Sequence, residues 1–345
     1  MKTTLRFGLI LSLTTLFFAC GESPKSKSEE VVNVYTHRHY KADDELFSQF
    51  TEETGIKVNI VNASADELIQ RLETEGADSK ADILITVDAG RLYRAQSKDL
   101  LQPVSSEILE ANIAPEFREK EGHWYGMTYR ARIIAYAKDR VDPEEIKTYE
   151  DLTDPKWEDK VLIRSSENIY NQSLLASIIL AEGEEKAKAW AEGIVANMAR
   201  DPKGGDRDQV KAIASGEGDV AVVNTYYIGL LLNDENEEER KAGESVGVIF
   251  PNQDGRGTHI NISGIGVTKH APNKENAIAL MEFLSEEKAQ QTLANVNYEY
   301  PINPKAEKAS ILKTWGDFKT DSVPFSKLGE YNSQAVKIFD EAGWK

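Results

Sequence analysis

The 345-residue sequence predicts an α/β chain of two doubly wound lobes joined by a hinge, with a ligand cleft between them. Three observations carry this reading. Residues 31–100 alternate short β-branched runs with amphipathic helical stretches, the βαβαβ rhythm of a parallel sheet covered by helices. A second alternating series begins at 161 and ends in a helical stretch near 296. Between the two lies an uninterrupted extended segment, GMTYRARIIAYAK at 126–138, and similar strands near 250–268 carry the chain back. Two lobes with two crossings form a hinged cleft suited to closing around a ligand. Two independent domains would give the same pattern, and the pattern alone does not separate them. The length also favours two packed units over one core.

The elements follow in order. VVNVYTH (31–37) is short and β-branched, a buried strand. Residues 43–53 place Leu46, Phe47 and Phe50 at helical spacing and stop at Gly55. KVNIVNA (57–63) alternates as a strand, ADELIQRLETEG is a short amphipathic helix, and ADILITVD (81–88) is a strand before the helical GRLYRAQSKDLL. In the second series VLIRS (161–165) is a strand, followed by one long helix from 172 to about 198 and a short one near 208–214. Strand DVAVVN (219–224) leads into helix YYIGLLLNDENEEERKAG; VGVIF (246–250) and THINISGIGVT (258–268) are strands, and ENAIALMEFLSEEKAQQTLANV is one helix. The expected organisation is a signal peptide over 1–19, a tether over 20–30, a first lobe of 31–130 with about 251–300, and a second of about 131–250 with 301–345. No internal repeat is visible.

Composition narrows the function. The chain is 40% apolar and 29% charged, too apolar for a disordered segment. Its 41 basic residues against 58 acidic ones give a net charge of −17, which disfavours nucleic acid, because phosphate binding needs clustered Lys and Arg. A single cysteine excludes an internal disulfide framework and any Cys-rich zinc or iron–sulfur site.

That cysteine has an informative address. A basic MKTTLR start, the twelve-residue apolar run FGLILSLTTLFF and then Ala19-Cys20-Gly21 have the layout of a secretory signal. The run is short of the roughly 20 residues that span a bilayer. Cys directly after it resembles a bacterial lipoprotein cleavage site, with Cys20 as the lipidated end, although Phe17 and Phe18 stand where smaller or aliphatic residues are usual. The competing reading is ordinary cleavage beside an incidental thiol. Loss of residues 1–19 removes Lys2, Arg6 and no acid, so the net charge moves from −17 to −19. The expected location is periplasmic or extracytoplasmic, tied to a membrane through Cys20 by the polar GESPKSKSEE tether.

Open α/β sheets bind ligands where strands turn into the next helix. After 31–37 come Arg38, His39 and Tyr40; after 161–165 come Ser166, Glu167, Asn168, Ile169 and Tyr170; after 219–224 come Thr225, Tyr226 and Tyr227. One tyrosine at such a turn is ordinary cleft-wall packing. Tyrosines at all three turns call for another account. Phenolate is a hard anionic donor preferred by cations of high charge. Free tyrosine titrates near 10, so only a strongly charged metal displaces its proton at neutral pH. Calcium or magnesium would select carboxylates and carbonyls, and zinc would select His, Cys or carboxylate. Ferric ion fits: four phenolates and a neutral imidazole leave one net negative charge.

The segments RHY (38–40), RSSENIYNQSL (164–174), NTYYIG (224–229) and HINISGIGVTKHAPNKENAIALMEFL (259–284) resemble ferric-ion-binding proteins of bacterial ABC transporters, as do VDAGRL (87–92) and YGMTYRARI (125–133). The resemblance implies a two-lobed class II periplasmic-binding-protein fold, no enzymatic activity, reversible Fe(III) capture and delivery to a membrane permease by a monomer. It places the metal ligands at His39, Tyr40, Tyr170, Tyr226 and Tyr227, with His39 beside the metal but not bonded to it in some relatives. Other relatives add carbonate or phosphate; Asn224, Ser165 and Ser166 are the candidates for holding such an anion, and Arg130 resembles an arginine that stands behind the ligands.

Other signals are weaker. GIG (264–266) and KGGD (203–206) lack the strand–GxGxxG–helix context of a nucleotide site. DENEEER (234–240) lacks the alternating ligands and central Gly of a calcium loop and reads as a solvated helix face. His123, His259 and His270 show no metal-motif spacing and read as structural or surface residues. No G-x-S-x-G occurs. Two alternatives stay open beside iron transport: the same fold holding a polyamine, sugar or thiamine-like solute against its tyrosines, and an exported enzyme using tyrosinate-bound iron.

Overall fold

A computed structural model describes residues 30–345. The signal and tether expectations, including Cys20, lie outside these residues. The chain runs β1 Val31–Thr36, α1 Lys41–Thr54, β2 Lys57–Asn62, α2 Ala65–Glu75, β3 Ile83–Thr86, α3 Ala89–Ser97, α4 Glu107–Asn112, β4 Tyr125–Ala137 and β5 Val161–Leu162. It continues with α5 Ile169–Glu182, α6 Glu184–Asn197, α7 Asp206–Ala214, β6 Val220–Asn224, α8 Thr225–Leu232, α9 Glu237–Ser245, β7 Val246–Ile249 and β8 Ile260–Val267. It closes with α10 Lys274–Ser285, α11 Glu287–Asn297, β9 Tyr300–Pro301, α12 Ser310–Thr314, α13 Phe325–Glu330 and α14 Asn332–Ala342. Among the described residues, no helix is long and apolar enough to cross a membrane.

The strands are ordered β2-β1-β3-β8-β4-β6-β5, with β7 and β9 also paired to β4. The parallel pairs are β1 with β2 and β3, and β5 with β6. Strand β8 pairs antiparallel with both β3 and β4, so the sheet is mixed rather than parallel throughout. The reason is the return crossing: a strand bringing the chain back beside β4 must run against it. Strand β4 serves both halves. Its residues up to Ala131 pair with β8, and from Arg132 onward it pairs with β6 and then β7. The phenol-bearing turns lie on either side of this switch.

The buried apolar residues form two main clusters, the smaller within the first half and the larger spanning both. Val32, Val34, Leu46, Phe50, Ile83, Ile85, Leu280 and Leu284 form one buried cluster. Leu174, Ile178, Trp190, Ile194, Val210 and Val220–Val223 belong to the larger one. Burying such a side chain stabilises the fold by about 1.5–3 kcal/mol.

Three expected helices are each two. The stretch 172–198 divides into α5 and α6 at Gly183, whose φ of +91° a residue with a Cβ rarely adopts. The stretch after Tyr226 divides into α8 and α9, the second started by Asn236, whose side chain accepts from the Glu238 N–H. Helices α10 and α11 are separated by extended backbone at Glu286. Apolar periodicity survives such short breaks, so spacing alone reads them as continuous.

Candidate metal centre

The chain turns from β1 into α1 through residues 37–40. Arg38 is fully buried there: it donates to both oxygens of Asp43 and, at 3.1 Å, to Glu299. Its guanidinium carbon lies 4.6 Å from the centre of the Tyr40 ring. Tyr40 occupies the cap position of α1 and is half-buried, while His39 is exposed with its ring centre 5.8 Å from that of Tyr40.

The other half supplies the remaining tyrosines. Asn168 caps α5, its side chain accepting from the Tyr170 N–H, and so fixes Tyr170 in the first turn. Tyr226 and Tyr227 are in the first turn of α8, directly after β6, with ring centres 4.1 Å apart. Tyr226 is 1% exposed and sits at the centre of the group. Its hydroxyl is 3.5 Å from that of Tyr40 and 3.3 Å from that of Tyr170. Tyr227 packs with Ile169 and Tyr170.

Three arginines surround Tyr170, with guanidinium carbons 5.2 Å (Arg130), 5.9 Å (Arg132) and 5.6 Å (Arg164) from its ring centre. Arg130 donates to the Val87 carbonyl, and its Nε and Nη1 are buried without a hydrogen-bond partner among the described residues. Arg132 donates to Asp206 and to Asn171, both at 2.7 Å. Asp206 also accepts from the Asn224 N–H, at 2.8 Å. A small pocket is lined by Arg130, Arg132, Tyr170, Asn224, His259 and Asn261, and Asn224 Nδ2 is buried without a hydrogen-bond partner among the described residues.

These surroundings make Tyr40, Tyr226 and Tyr227 weaker acids than a free phenol. Burial pushes Tyr40 well above its ordinary value, with Tyr170, Glu299 and Tyr227 adding to the shift and Arg38 opposing it. Burial likewise raises Tyr226, followed by the charges of Tyr170, Tyr227 and Tyr40, against Arg130. Tyr227 is raised by burial, then by Tyr170 and Asp206. Tyr40, Tyr226 and Tyr227, gathered from both halves, are therefore poor anions until a cation replaces their protons. The set then offers hard oxygen donors to an ion of high charge.

Among the expected site residues, Tyr40, Tyr170, Tyr226 and Tyr227 come together, and His39 stays exposed beside them. Arg130 and Asn224 line the pocket behind Tyr170. The serines are engaged locally: the Ser165 hydroxyl accepts from the Glu167 N–H, and Ser166 bonds through its backbone to Lys345 and Gln172. His259 is buried in the same pocket, 3.6 Å from Asp321, closer to the phenols than its lack of motif suggested. Sequence reasoning missed Arg132, whose alternation with Arg130 on one extended segment was a visible signal. It also missed Glu299 and Asp206, for which no local signal exists.

The profile of the family described as bacterial extracellular solute-binding protein matches residues 78–319. Iron uptake protein A1 of Synechocystis sp. is 50% identical over 336 residues, covering 96% of this chain and 93% of its own. Among solved structures, a Trichodesmium protein in complex with iron and citrate ligands superposes with a TM-score of 0.87 at 48% identity, covering 91% of this chain and all of its own. The ferric binding protein from Campylobacter jejuni gives 0.88 at 48% identity, with the same coverage.

Proposed function

We propose a function from one premise: the chain belongs to the family of bacterial extracellular solute-binding proteins. Its cargo is ferric ion, held in the cleft between the two halves and delivered to an ABC permease for iron uptake. The observation that carries this reading is the meeting of the Tyr40 and Tyr170 hydroxyls at that of Tyr226, from opposite halves. The relatives named for iron or solved with it support the choice of cargo. Tyr40, Tyr170, Tyr226 and Tyr227 bind the ion as phenolates, and His39 reaches it from the rim. The unpartnered N–H groups of Arg130 and the Asn224 amide suit a small anion such as carbonate or phosphate beside the metal.

Residues 31–130 with about 251–300 make up one lobe of this clamp, and about 131–250 with 301–345 the other. The protein works as a monomer, held to the membrane by a lipid on Cys20. Its turnover is capture and release, with no bond made or broken in a substrate.

The visible spectrum tests this function. Phenolate-to-iron charge transfer absorbs visible light, so purified protein given ferric citrate turns coloured. Tyr226→Phe and Tyr227→Phe each shift or bleach the band with the far-UV dichroism unchanged. A protein that stays colourless, and takes up no ferric ion in a buffer free of competing chelator, overturns the reading.

A further inference from the structure

At the end of α11, residues 297–299 touch the turn that carries Tyr40 and the helix that carries Tyr226 and Tyr227. Glu299 is 1% exposed, accepts from Arg38 at 3.1 Å and from Asn297 at 2.9 Å, and so braces the guanidinium lying under Tyr40. Its neighbour Tyr298 is in the left-handed region, at φ 55° and ψ 28°, a conformation uncommon for a residue with a large side chain. Tyr300 then pairs with Tyr129 of β4, which fixes this segment to the first half.

The Tyr298 ring meets α8 of the second half at Gly229. A Cβ on Gly229 would lie 2.6 Å from the Tyr298 Cβ and 2.7 Å from its Cγ, closer than side chains approach. Tyr226 and Gly229 are three residues apart on one helix and share a face. The face that presents Tyr226 to Tyr40 therefore also presents Gly229 to Tyr298. Bringing the phenols together brings these two together as well.

We propose that Tyr298 is a positioning residue for metal capture: seated on Gly229, its ring fixes where α8 stops as the cleft closes, and so holds Tyr226 and Tyr227 at bonding distance from Tyr40. The inference rests on the ferric reading above. Tyr298 itself does not touch the metal; it lowers the free energy of the closed arrangement relative to the open one, and a ligand common to both halves is retained longer for that reason.

Iron transfer from the loaded full-length protein to excess chelator, followed by loss of the visible band, tests it. Tyr298→Ala releases iron about tenfold faster, with the band position and the melting temperature of the metal-free protein close to wild type. Tyr298→Phe keeps the ring and restores the wild-type rate. Gly229→Ala also speeds release, although alanine is the better helix former, and adds nothing in a Tyr298→Gly background, where both the Cβ and the ring it would strike are gone. Wild-type release rates in both Tyr298→Ala and Gly229→Ala, with the band present, overturn the inference alone. A wild-type protein without the band overturns the ferric reading and this inference with it.

Discussion

Proton release on metal binding follows from the electrostatics of the phenol cluster. Tyr40, Tyr226 and Tyr227 are all pushed above the ordinary tyrosine value, chiefly by burial. With that value near 10, fewer than about one in a thousand of each is ionised at pH 7. Each phenol that bonds to iron must then release its proton, at least three per ion. Each proton contributes a factor of ten per pH unit to the conditional affinity. Lowering the pH by one unit thus weakens binding by about a thousandfold, or roughly 4 kcal/mol; acid favours release and alkali favours capture. Tyr226→Phe removes one of these groups from the centre of the cluster and reduces the count by one. The assay is a titration of weakly buffered protein with a ferric chelate, read by a pH indicator and corrected for protons from the chelate alone. Fewer than three protons per iron in the wild type, or an unchanged count in Tyr226→Phe, refutes ligation by all three phenolates.

Other consequences are separately measurable. His39→Ala with Tyr40→Phe leaves the second half able to hold iron but removes the first half's grip, so small-angle scattering no longer shows the metal-dependent compaction of the wild type; a double variant that still compacts contradicts a two-sided clamp. Asp206→Ala leaves the buried Arg132 without its carboxylate, and thermal or urea unfolding should report a loss of about 3–5 kcal/mol; a loss under about 1 kcal/mol means the pair contributes little. Cys20→Ala moves the protein out of the membrane fraction, and a wild type that carries no acyl chain by mass spectrometry removes the lipid anchor from the account.

Much of this site was legible in the sequence because its tyrosines sit at strand ends. A strand such as VAVVN is visible as a β-branched run, and the residues after it must lie at the end of the sheet where ligands bind. Tyr40, Tyr170 and Tyr226 could be placed together on that ground alone. Residues that support them from a distance leave no such mark: Glu299 meets Arg38 across 261 positions of sequence, and Asp206 reaches Arg132 of β4 from the start of α7. The antiparallel course of β8 was equally silent, because a run like INISGIGV reads the same in either direction. The helix breaks at Gly183 and Glu286 were hidden for another reason: one residue outside helical conformation does not disturb the apolar spacing on either side.

The position of β8 between β3 and β4 sets the order in which the molecule is completed. Until residue 267 has been synthesised, β3 lacks the neighbour on that side, and its wholly buried ILIT is paired along one edge only, with β1. Every shorter nascent chain is thus left with an apolar strand edge open. The pairing of β8 with β3 and β4 is long-range, a topology that folds slowly because distant segments must close large loops before contacts reward them. The polypeptide therefore commits late, as a nearly whole chain, and a fragment ended anywhere before β8 is sticky rather than a smaller binding module.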